Sequence, residues 1–357
     1  MRALFLSTNT PLAAGVRYRA LQYFPRLAEQ GIHCEHRSLF DERLDEIIYR
    51  PGRTGEKVGR LALATARRLA DVLGATRYDV VVVLREAYLV GPPVLEALLR
   101  ALGRPLVFDV DDAVWEGYDS PTYGRLARFL KCSWKTAPTV RMAAAVTAGN
   151  SYVAAQMRRW NDRVTLLPTV VDTDLYRPAE RPPSPLPVLG WIGSHSTFQY
   201  LRPLLPVLAR LSRQAAFRLR LVGAAADVPP QPFPLENVAW SREREVADVQ
   251  SFDIGLFPVV EDAWSRGKSG FKAVQYGACG IPTVATPVTT NREIVLHQET
   301  GLLASSEEEW LSALRQLLGE PALRARLGGA ARRRIGAHYS LAVHAPRLAE
   351  VLARAAG

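Results

Sequence analysis

Short, uninterrupted apolar runs recur along the chain and alternate with stretches of helical spacing. The clearest is DVVVVL at 79–84, where four consecutive valines leave no polar face. A strand that is apolar on both sides suits a parallel sheet covered by helices on both faces. Alternation at this spacing predicts βαβ units and a doubly wound α/β fold. In the first half we predict strands at 3–7, 34–39, 79–84, 105–110, 144–149 and 164–169.

A proline-rich segment interrupts the alternation near the middle of the chain. Residues 177–187 contain five prolines, which cannot continue a helix or a central strand. We therefore predict an N-terminal Rossmann-like domain at 1–178, a linker at 179–187 and a C-terminal Rossmann-like domain at 188–339. The pattern restarts after the linker, with strands predicted at 188–193, 217–223, 238–241, 254–259, 282–287 and 301–305.

The charge of the chain is almost entirely carried by arginine. Lysine and arginine total 45 against 35 acidic residues, a net charge of +10, and only five of the 45 are lysines. Such a bias favours solvated helix faces over a nucleic-acid site, and no aromatic-plus-basic module is present. Peripheral contact with an anionic membrane remains an alternative.

The sequence lacks the motifs of several common classes of site. The cysteines Cys34, Cys132 and Cys279 form no CxxC pair, and no zinc-binding HExxH or nucleophile GxSxG occurs. No apolar window reaches the length of a membrane span or a signal peptide. We expect a cytoplasmic protein, in peripheral contact with the inner membrane face at most, with neither a metal nor a bound cofactor.

The segment GKSG at 267–270 is the strongest candidate for chemistry. It is a glycine-flanked loop that opens onto a predicted helix at 270–278, with Lys268 and Lys272 beside it. Backbone N–H groups at a helix start, together with lysines, favour phosphate binding. Gln275, one turn later, has an amide that could bond a sugar hydroxyl. The alternative is an ordinary loop with solvated lysines, since the longer P-loop signature is absent.

The order of motifs from DIGLFP through GKSGFK and QYGACGIPTVATP to TGLL resembles the C-terminal domain of family 4 (group 1) glycosyltransferases. WIGSHSTFQYL at 191–201 resembles that domain's first strand and glycine turn, and residues 322–348 resemble its tail. The resemblance implies a GT-B fold, in which two Rossmann-like domains face each other across a cleft. It also implies that the last helix, at about 340–357, returns to the N-terminal domain.

The resemblance further implies a retaining, metal-independent transfer of a sugar from a nucleotide-diphosphate sugar. In the family the helix-start loop holds the diphosphate through backbone N–H groups, which correspond to Ser269, Gly270 and Phe271. A basic side chain neutralises the leaving group, for which Lys268 is the nearest match and Lys272 the second.

Some family positions carry different residues in this chain. The usual pair of glutamates, eight positions apart, falls on Gly267 and Gln275, so a catalytically inactive relative is an alternative. The glycine turn at Gly193 is followed by polar rather than basic residues. The remaining donor contacts implied by the resemblance are His195 and Ser196 in that turn, and Ser241 and Glu243 after the third strand of the domain.

The loops of the first half are the candidate acceptor region. Gly15, Arg17 and Arg19 follow the first predicted strand, and the resemblance places such a loop beside the diphosphate or the acceptor. Glu86 follows the valine run as a lower-ranked acceptor contact.

Three carboxylates, Asp109, Asp111 and Asp112, crowd the end of the fourth strand. They are predicted catalytic residues, holding acceptor hydroxyls or pairing with arginines across the cleft. A metal site is disfavoured because no further ligand completes it, and Asp112 could instead cap a helix.

The sequence therefore predicts a glycosyltransferase that uses a nucleotide-sugar donor and a carbohydrate, lipid-linked or small-molecule acceptor. Its products would belong to cell-surface polysaccharide, glycolipid or glycoconjugate synthesis. The alternatives are a GT-B epimerase or phosphorylase, and a non-catalytic protein that binds sugar nucleotides or a membrane surface.

Overall fold

The computed structural model describes residues 1–117, 132–180, 186–224 and 228–357. Two units emerge from the packing. Unit 1 comprises Met1–Thr169, Gly267–Ser269 and His344–Gly357, and unit 2 comprises Val170–Arg266 and Gly270–Val343. Of the linker predicted at 179–187, residues 181–185 lie outside the described residues.

Unit 1 is built on a six-stranded parallel sheet with the order β2-β1-β3-β4-β5-β6. Its two central strands β3 and β4 are buried along their whole length, as the apolar runs predict. The strands are β1 Arg2–Ser7, β2 His33–Ser38, β3 Val80–Leu84, β4 Leu106–Val110, β5 Ala145–Ala148 and β6 Val164–Leu166.

Helices connect these parallel strands and cover the sheet. The longest, α4, has 20 residues, and a core of valine, leucine and phenylalanine side chains lies under the helices. The helices are α1 Ala14–Arg19, α2 Phe24–Ala28, α3 Glu42–Ile47, α4 Thr54–Leu73, α5 Val94–Ala101, α6 Thr136–Met142 and α7 Ser151–Arg158.

Unit 2 repeats the architecture with a different strand order. Its parallel sheet runs β12-β11-β10-β7-β8-β9, so the first and fourth strands of the unit are neighbours. The strands are β7 Val188–Ile192, β8 Arg218–Val222, β9 Leu235–Val238, β10 Ile254–Phe257, β11 Thr283–Ala285 and β12 Gly301–Leu303. The two parallel sheets confirm the predicted α/β fold class.

The helices of unit 2 bury leucine-rich faces against its sheet. They are α8 His195–Leu201, α9 Leu205–Leu211, α10 Glu245–Gln250, α11 Phe271–Ala278, α12 Thr289–Ile294, α13 Glu307–Gly319 and α14 Pro321–His338. The final helix, α15 Leu341–Ala356, begins in unit 2, and its residues from His344 onward belong to unit 1. None of the helices in the described ranges combines the length and apolarity needed to cross a bilayer.

One strand prediction was displaced. The third strand of unit 2 was predicted at 238–241, but β9 spans Leu235–Val238. Val238 pairs with Val222, the last residue of β8, and β9 is the edge strand. The chain beyond Val238 therefore has no neighbouring strand to pair with, whatever its β propensity.

Glycines in β7 and β10 allow aromatic side chains to pack closely against the sheet. A Cβ at Gly190 would lie 1.9 Å from the ring of Phe252, and one at Gly255 would lie 2.2 Å from the ring of Tyr276. Both rings are buried and contact each other edge-on, 5.9 Å between centroids. The sheet of unit 2 consequently tolerates no side chain at either position.

We predict that Gly190→Ala lowers the free energy of unfolding by about 2–3 kcal/mol, because the new methyl group overlaps a fully buried ring. Gly336→Ala is the matched control in the same unit, since a Cβ there meets nothing within 4 Å. It should raise stability by about 0.5–1 kcal/mol through higher helix propensity. Urea unfolding measures both, and equal effects would contradict the packing argument.

Candidate functional site

Each sheet has one point where the direction of strand addition reverses, and ligands of open α/β sheets bind beyond the strand ends at such a point. In unit 1 this point lies between β1 and β3, and in unit 2 between β7 and β10. The candidate residues of each unit can be placed relative to these two positions.

A cavity of about 160 Å³ lies at the reversal point of unit 1. It is formed by the residues that follow β1, the start of α1 and the ends of β3 and β4. The lining residues are Ser7, Thr8, Asn9, Ala13, Gly15, Val16, Arg19, Leu84, Arg85, Asp109 and Asp111. Four predicted site residues, Gly15, Arg19, Asp109 and Asp111, are thus brought together.

A buried ion pair between Arg19 and Asp109 forms one wall of this cavity. The guanidinium holds the Asp109 carboxylate through Nε at 3.0 Å and through Nη2, and its Nη1 donates to the carbonyl of Leu167 at 2.5 Å. Thr147 Oγ1 donates to the same carboxylate at 2.5 Å. Burial lowers the pKa of Arg19, but Asp109, Asp111 and Tyr23 together outweigh burial and leave that pKa raised. The charges of Arg19 and Asp109 are therefore paired with each other.

A second ion cluster involves Arg85 with Asp111 and Asp112. Arg85 Nε and Nη2 donate to the two Asp111 oxygens at 2.6 and 2.9 Å, and Nη2 lies 2.6 Å from Asp112 Oδ2. Burial favours the neutral form of Asp111, but Arg85, Arg19 and a backbone hydrogen bond together outweigh burial and lower the pKa of Asp111. Burial raises the pKa of Asp112; Arg85 opposes this shift, Asp111 adds to it and Lys268 opposes it.

The arginines that pair with the three aspartates, Arg19 and Arg85, belong to the same unit as the aspartates, whereas the sequence analysis expected arginines across a cleft. Across the described ranges, no group of three or more His, Cys, Asp or Glu side chains is arranged to hold a metal ion.

The other predicted residues of unit 1 have distinct environments. Glu86 pairs with Lys135 at 2.8 Å. The guanidinium of Arg17 stacks on the ring of Tyr18, 4.8 Å from its centroid. Gly15 lies close to Arg85, since a Cβ there would be 3.9 Å from its Nη2. Of these, only Gly15 lines the cavity.

The tripeptide Gly267–Ser269 belongs to unit 1 through contacts with Asn150 and Ala113. Asn150 Nδ2 donates to the carbonyls of Gly267 at 2.7 Å and Lys268 at 3.2 Å, while its Oδ1 caps α7 at the N–H of Val153. A Cβ at Gly267 would lie 2.5 Å from the backbone nitrogen of Ala113. No glutamate fits at this position without moving the chain.

At the reversal point of unit 2, Lys272 in the first turn of α11 lies over two rings. Its Nζ is 5.5 Å from the ring centroid of Trp191 in β7 and 5.3 Å from that of Phe257 in β10. Gly270 precedes α11 with φ +65°, and a Cβ there would lie 2.4 Å from Ile294. The predicted lysine and glycine therefore stand where the topology favours a ligand.

Gln275, on the same helix, points into a buried polar network. Its Nε2 donates to Tyr176 Oη and to Glu245 Oε1, both at 3.0 Å. Tyr176 Oη donates to Glu245 Oε1 at 2.6 Å, and Trp240 Nε1 donates to Glu245 Oε2 at 2.7 Å. The amide nitrogen of Gln275 is therefore engaged inside unit 2. A glutamate at 275 would face the Glu245 carboxylate, which gives a physical reason for the amide.

The remaining predicted donor contacts lie in two loops of unit 2. His195 and Ser196 are exposed in the first turn of α8, where Ser194 and Thr197 form a capping box. Ser241 is partly buried and Glu243 exposed between β9 and α10.

Three residues that hold the predicted site residues in place were not predicted from the sequence. Arg85 holds Asp111 and Asp112, Asn150 holds the Gly267–Ser269 tripeptide, and Tyr176 contacts Gln275. Arg85 and Asn150 each follow a buried strand at its carboxyl end, a position that could have marked them. Tyr176 lies 99 positions from Gln275, and no local pattern relates the two.

Comparison with known proteins identifies the fold and shows which family the second half is similar to. Residues 186–320 match the family model of group 1 glycosyl transferases. Over 136 residues, 36% of this chain and 29% of the relative, the chain is 32% identical to D-inositol 3-phosphate glycosyltransferase of Pseudarthrobacter chlorophenolicus. The chain spans about three tenths of the length of the curated relatives it matches.

Solved structures match over almost the whole chain. Sucrose-phosphate synthase of Thermosynechococcus elongatus has a TM-score of 0.70 at 15% identity, covering 98% of this chain and 97% of that one. Anabaena HepE, solved in complex with UDP-glucose, has a TM-score of 0.68 at 15% identity, covering 99% of each chain. The fold is GT-B, and the resemblance to group 1 glycosyltransferases is confirmed.

We predict that Asp109→Ala lowers the free energy of unfolding by about 3–5 kcal/mol, because it leaves the buried Arg19 charge without its partner. Glu29→Ala is the control, since it removes an exposed ion pair with Arg26. It should change stability by less than about 0.5 kcal/mol. Chemical denaturation measures both; a near-neutral Asp109→Ala would show that the pair does not stabilise unit 1.

Gln275→Glu should destabilise the protein by about 2–3 kcal/mol at pH 7, because it places a second carboxylate against Glu245. The pKa of the new carboxyl would be raised in the folded state, so the native state binds the extra proton and stability falls as pH rises. The loss should shrink towards pH 4.5. Gln316→Glu, on an exposed face of α13, should show no such pH dependence. Thermal unfolding against pH separates the two variants.

Proposed function

We propose that the protein is a retaining, metal-independent glycosyltransferase that uses a nucleotide-diphosphate sugar. The observation that carries the proposal is the position of Lys272 and the start of α11 at the strand-order reversal of unit 2. The family match over residues 186–320 supports the same activity. HepE, which shares the fold, was solved with UDP-glucose, and this supports a nucleotide-sugar donor.

The diphosphate would bind at the start of α11. The N-terminal end of this helix carries a positive partial charge, and Gly270 at the cap position lets an anion approach closely. Lys268 and Lys272 add positive charge on either side of Gly270. Lys268 also acts on Asp112, where it opposes the rise in pKa that burial causes.

The transfer step would need no protein nucleophile. The bond between the anomeric carbon and the diphosphate oxygen breaks, and the acceptor hydroxyl oxygen bonds to the anomeric carbon from the same face. The departing diphosphate oxygen takes the acceptor's proton. Stabilising the charge on that oxygen is the main contribution of Lys268 and the helix start, about 3 kcal/mol per well-placed donor.

The acceptor would bind in the cavity of unit 1. Its charged side chains, Arg19, Arg85, Asp109 and Asp111, are paired with one another. An acceptor there would be recognised through hydroxyl groups, as expected for a carbohydrate or a lipid-linked glycan. Such products fit polysaccharide, glycolipid or glycoconjugate synthesis.

A non-catalytic sugar-nucleotide-binding protein is the second candidate. It is favoured by the absence of carboxylates at Gly267 and Gln275, and by the engagement of the Gln275 amide with Glu245. The two candidates agree on nucleotide binding and differ on turnover. An epimerase or phosphorylase would instead release an epimer or a sugar phosphate.

We predict that one of UDP, GDP, dTDP or ADP raises the melting temperature, because a ligand that binds the native state stabilises it. With the matching nucleotide sugar, Lys268→Ala should lower turnover by about tenfold or more, since it removes a charge that stabilises the leaving group. Nucleotide release and the anomeric configuration of the product, read by NMR, measure the reaction.

Arg354→Ala removes one exposed cation from α15 and is the control for charge. It should turn over like the wild type. Wild-type turnover in Lys268→Ala would refute the role of that lysine. Nucleotide binding without any transfer would favour the non-catalytic candidate, and no binding of any nucleotide would refute both.

A further inference from the structure

Helix α4 presents an apolar face to solvent. All residues of this face are exposed, and on a helical projection they fill an arc of about 140° that holds only apolar residues and glycine. The helix has 20 residues and so extends this face over about 30 Å. We define the α4 outer face by Val58, Ala62, Leu63, Ala66, Leu69 and Leu73.

The orientation of α4 is set by its opposite side. Lys57, Ala64, Arg68 and Val72 are buried, and Arg68 Nη2 donates to the carbonyl of Ser7 in β1 at 2.5 Å. The apolar face is therefore held outward by contacts to the sheet. Its exposure follows from packing and not from a loosely attached helix.

Exposed apolar side chains are concentrated in the same unit. Of the large apolar side chains that are exposed among the described residues, nine belong to unit 1 and two to unit 2. Four of the nine, Val58, Leu63, Leu69 and Leu73, lie on the α4 outer face. Such a contiguous patch is typical of an interaction surface.

The positive charge of the chain is concentrated there too. Unit 1 contains 27 lysine and arginine residues against 18 acidic ones, a net charge of +9. Unit 2 contains 18 against 17, a net charge of +1. Almost the whole surplus of +10 thus belongs to the unit that bears the apolar face. Arg60 and Arg67 stand along one margin of that face, and both pair with Asp41.

We propose that unit 1 docks on the surface of an anionic phospholipid bilayer through the α4 outer face. An exposed apolar helix face inserts at the level of the headgroups, and anionic lipid attracts the net positive charge of unit 1. The net charge of unit 1 favours a bilayer over a second copy of the chain as the binding partner, since two copies of a unit with a charge of +9 repel each other. This inference does not depend on the glycosyltransferase proposal.

Flotation of the full-length chain with vesicles tests the proposal. Vesicles of equal parts phosphatidylglycerol and phosphatidylcholine should bind the protein strongly, and pure phosphatidylcholine vesicles weakly. Binding should weaken with added salt, which screens the attraction. Leu63→Glu should lower the partition coefficient by about tenfold or more, because it removes an inserting leucine and adds a repelled charge.

Leu175→Glu is the matched control. Leu175 is 59% exposed and belongs to unit 2, while Leu63 is 58% exposed. The same substitution at equal exposure should leave vesicle binding unchanged, and both variants should keep the wild-type melting temperature. Equal flotation of Leu63→Glu and wild type, or no preference for phosphatidylglycerol, would overturn the proposal. Loss of a wild-type dimer in Leu63→Glu, with no vesicle binding, would assign the face to a second copy instead.

Discussion

The ion pair between Arg19 and Asp109 joins the parts of unit 1 that form its cavity. Arg19 closes α1, Asp109 lies in β4, Thr147 in β5 adds a third hydrogen bond, and the carbonyl of Leu167 beyond β6 accepts a fourth. A guanidinium has five donors in a rigid fork, so one side chain can hold three chain segments at fixed angles. A buried pair of this kind gains little over apolar packing, but losing one partner is costly. The cavity therefore depends on both charges together, and a loss of activity on mutating either would first report on folding.

In unit 2 a buried carboxylate is stabilised by neutral hydrogen-bond donors. One of the buried carboxylates of this unit is Glu245, which three donors satisfy, and Gln275 supplies one of them. In the glycosyltransferases that the chain resembles, a glutamate stands at the position of Gln275. Beside Glu245 a second carboxylate would be unfavourable, and at Gly267 the backbone of Ala113 leaves no room for one. Both departures from the family pattern are thus consistent with the packing of this chain, and the lysines beside Gly270 are left as its candidate phosphate ligands.

The net positive charge of the protein is distributed unequally between the two units, and this distribution bears on its function. Forty arginines spread over the sequence are consistent with solvated helix faces, and some form exposed ion pairs such as Arg26 with Glu29. Divided between the units, however, the surplus falls almost wholly on unit 1, which also exposes the apolar face of α4. Neither property alone identifies a bilayer, whereas their coincidence on one unit favours it.

The sequence by itself determined the fold class, because buried parallel strands require apolar residues on both faces and leave runs such as that of β3. It also located α11 and its lysines, since the glycine loop and the helix are contiguous in the chain. Only the tertiary structure decided the ends of β9, the partners of the three aspartates and the direction of Gln275. Each of these depends on groups far apart in sequence: Val222 for β9, Arg19 and Arg85 for the aspartates, and Tyr176 and Glu245 for Gln275. Local sequence patterns indicate whether a residue is buried. The polar group that contacts a buried side chain depends on how segments far apart in the sequence pack together.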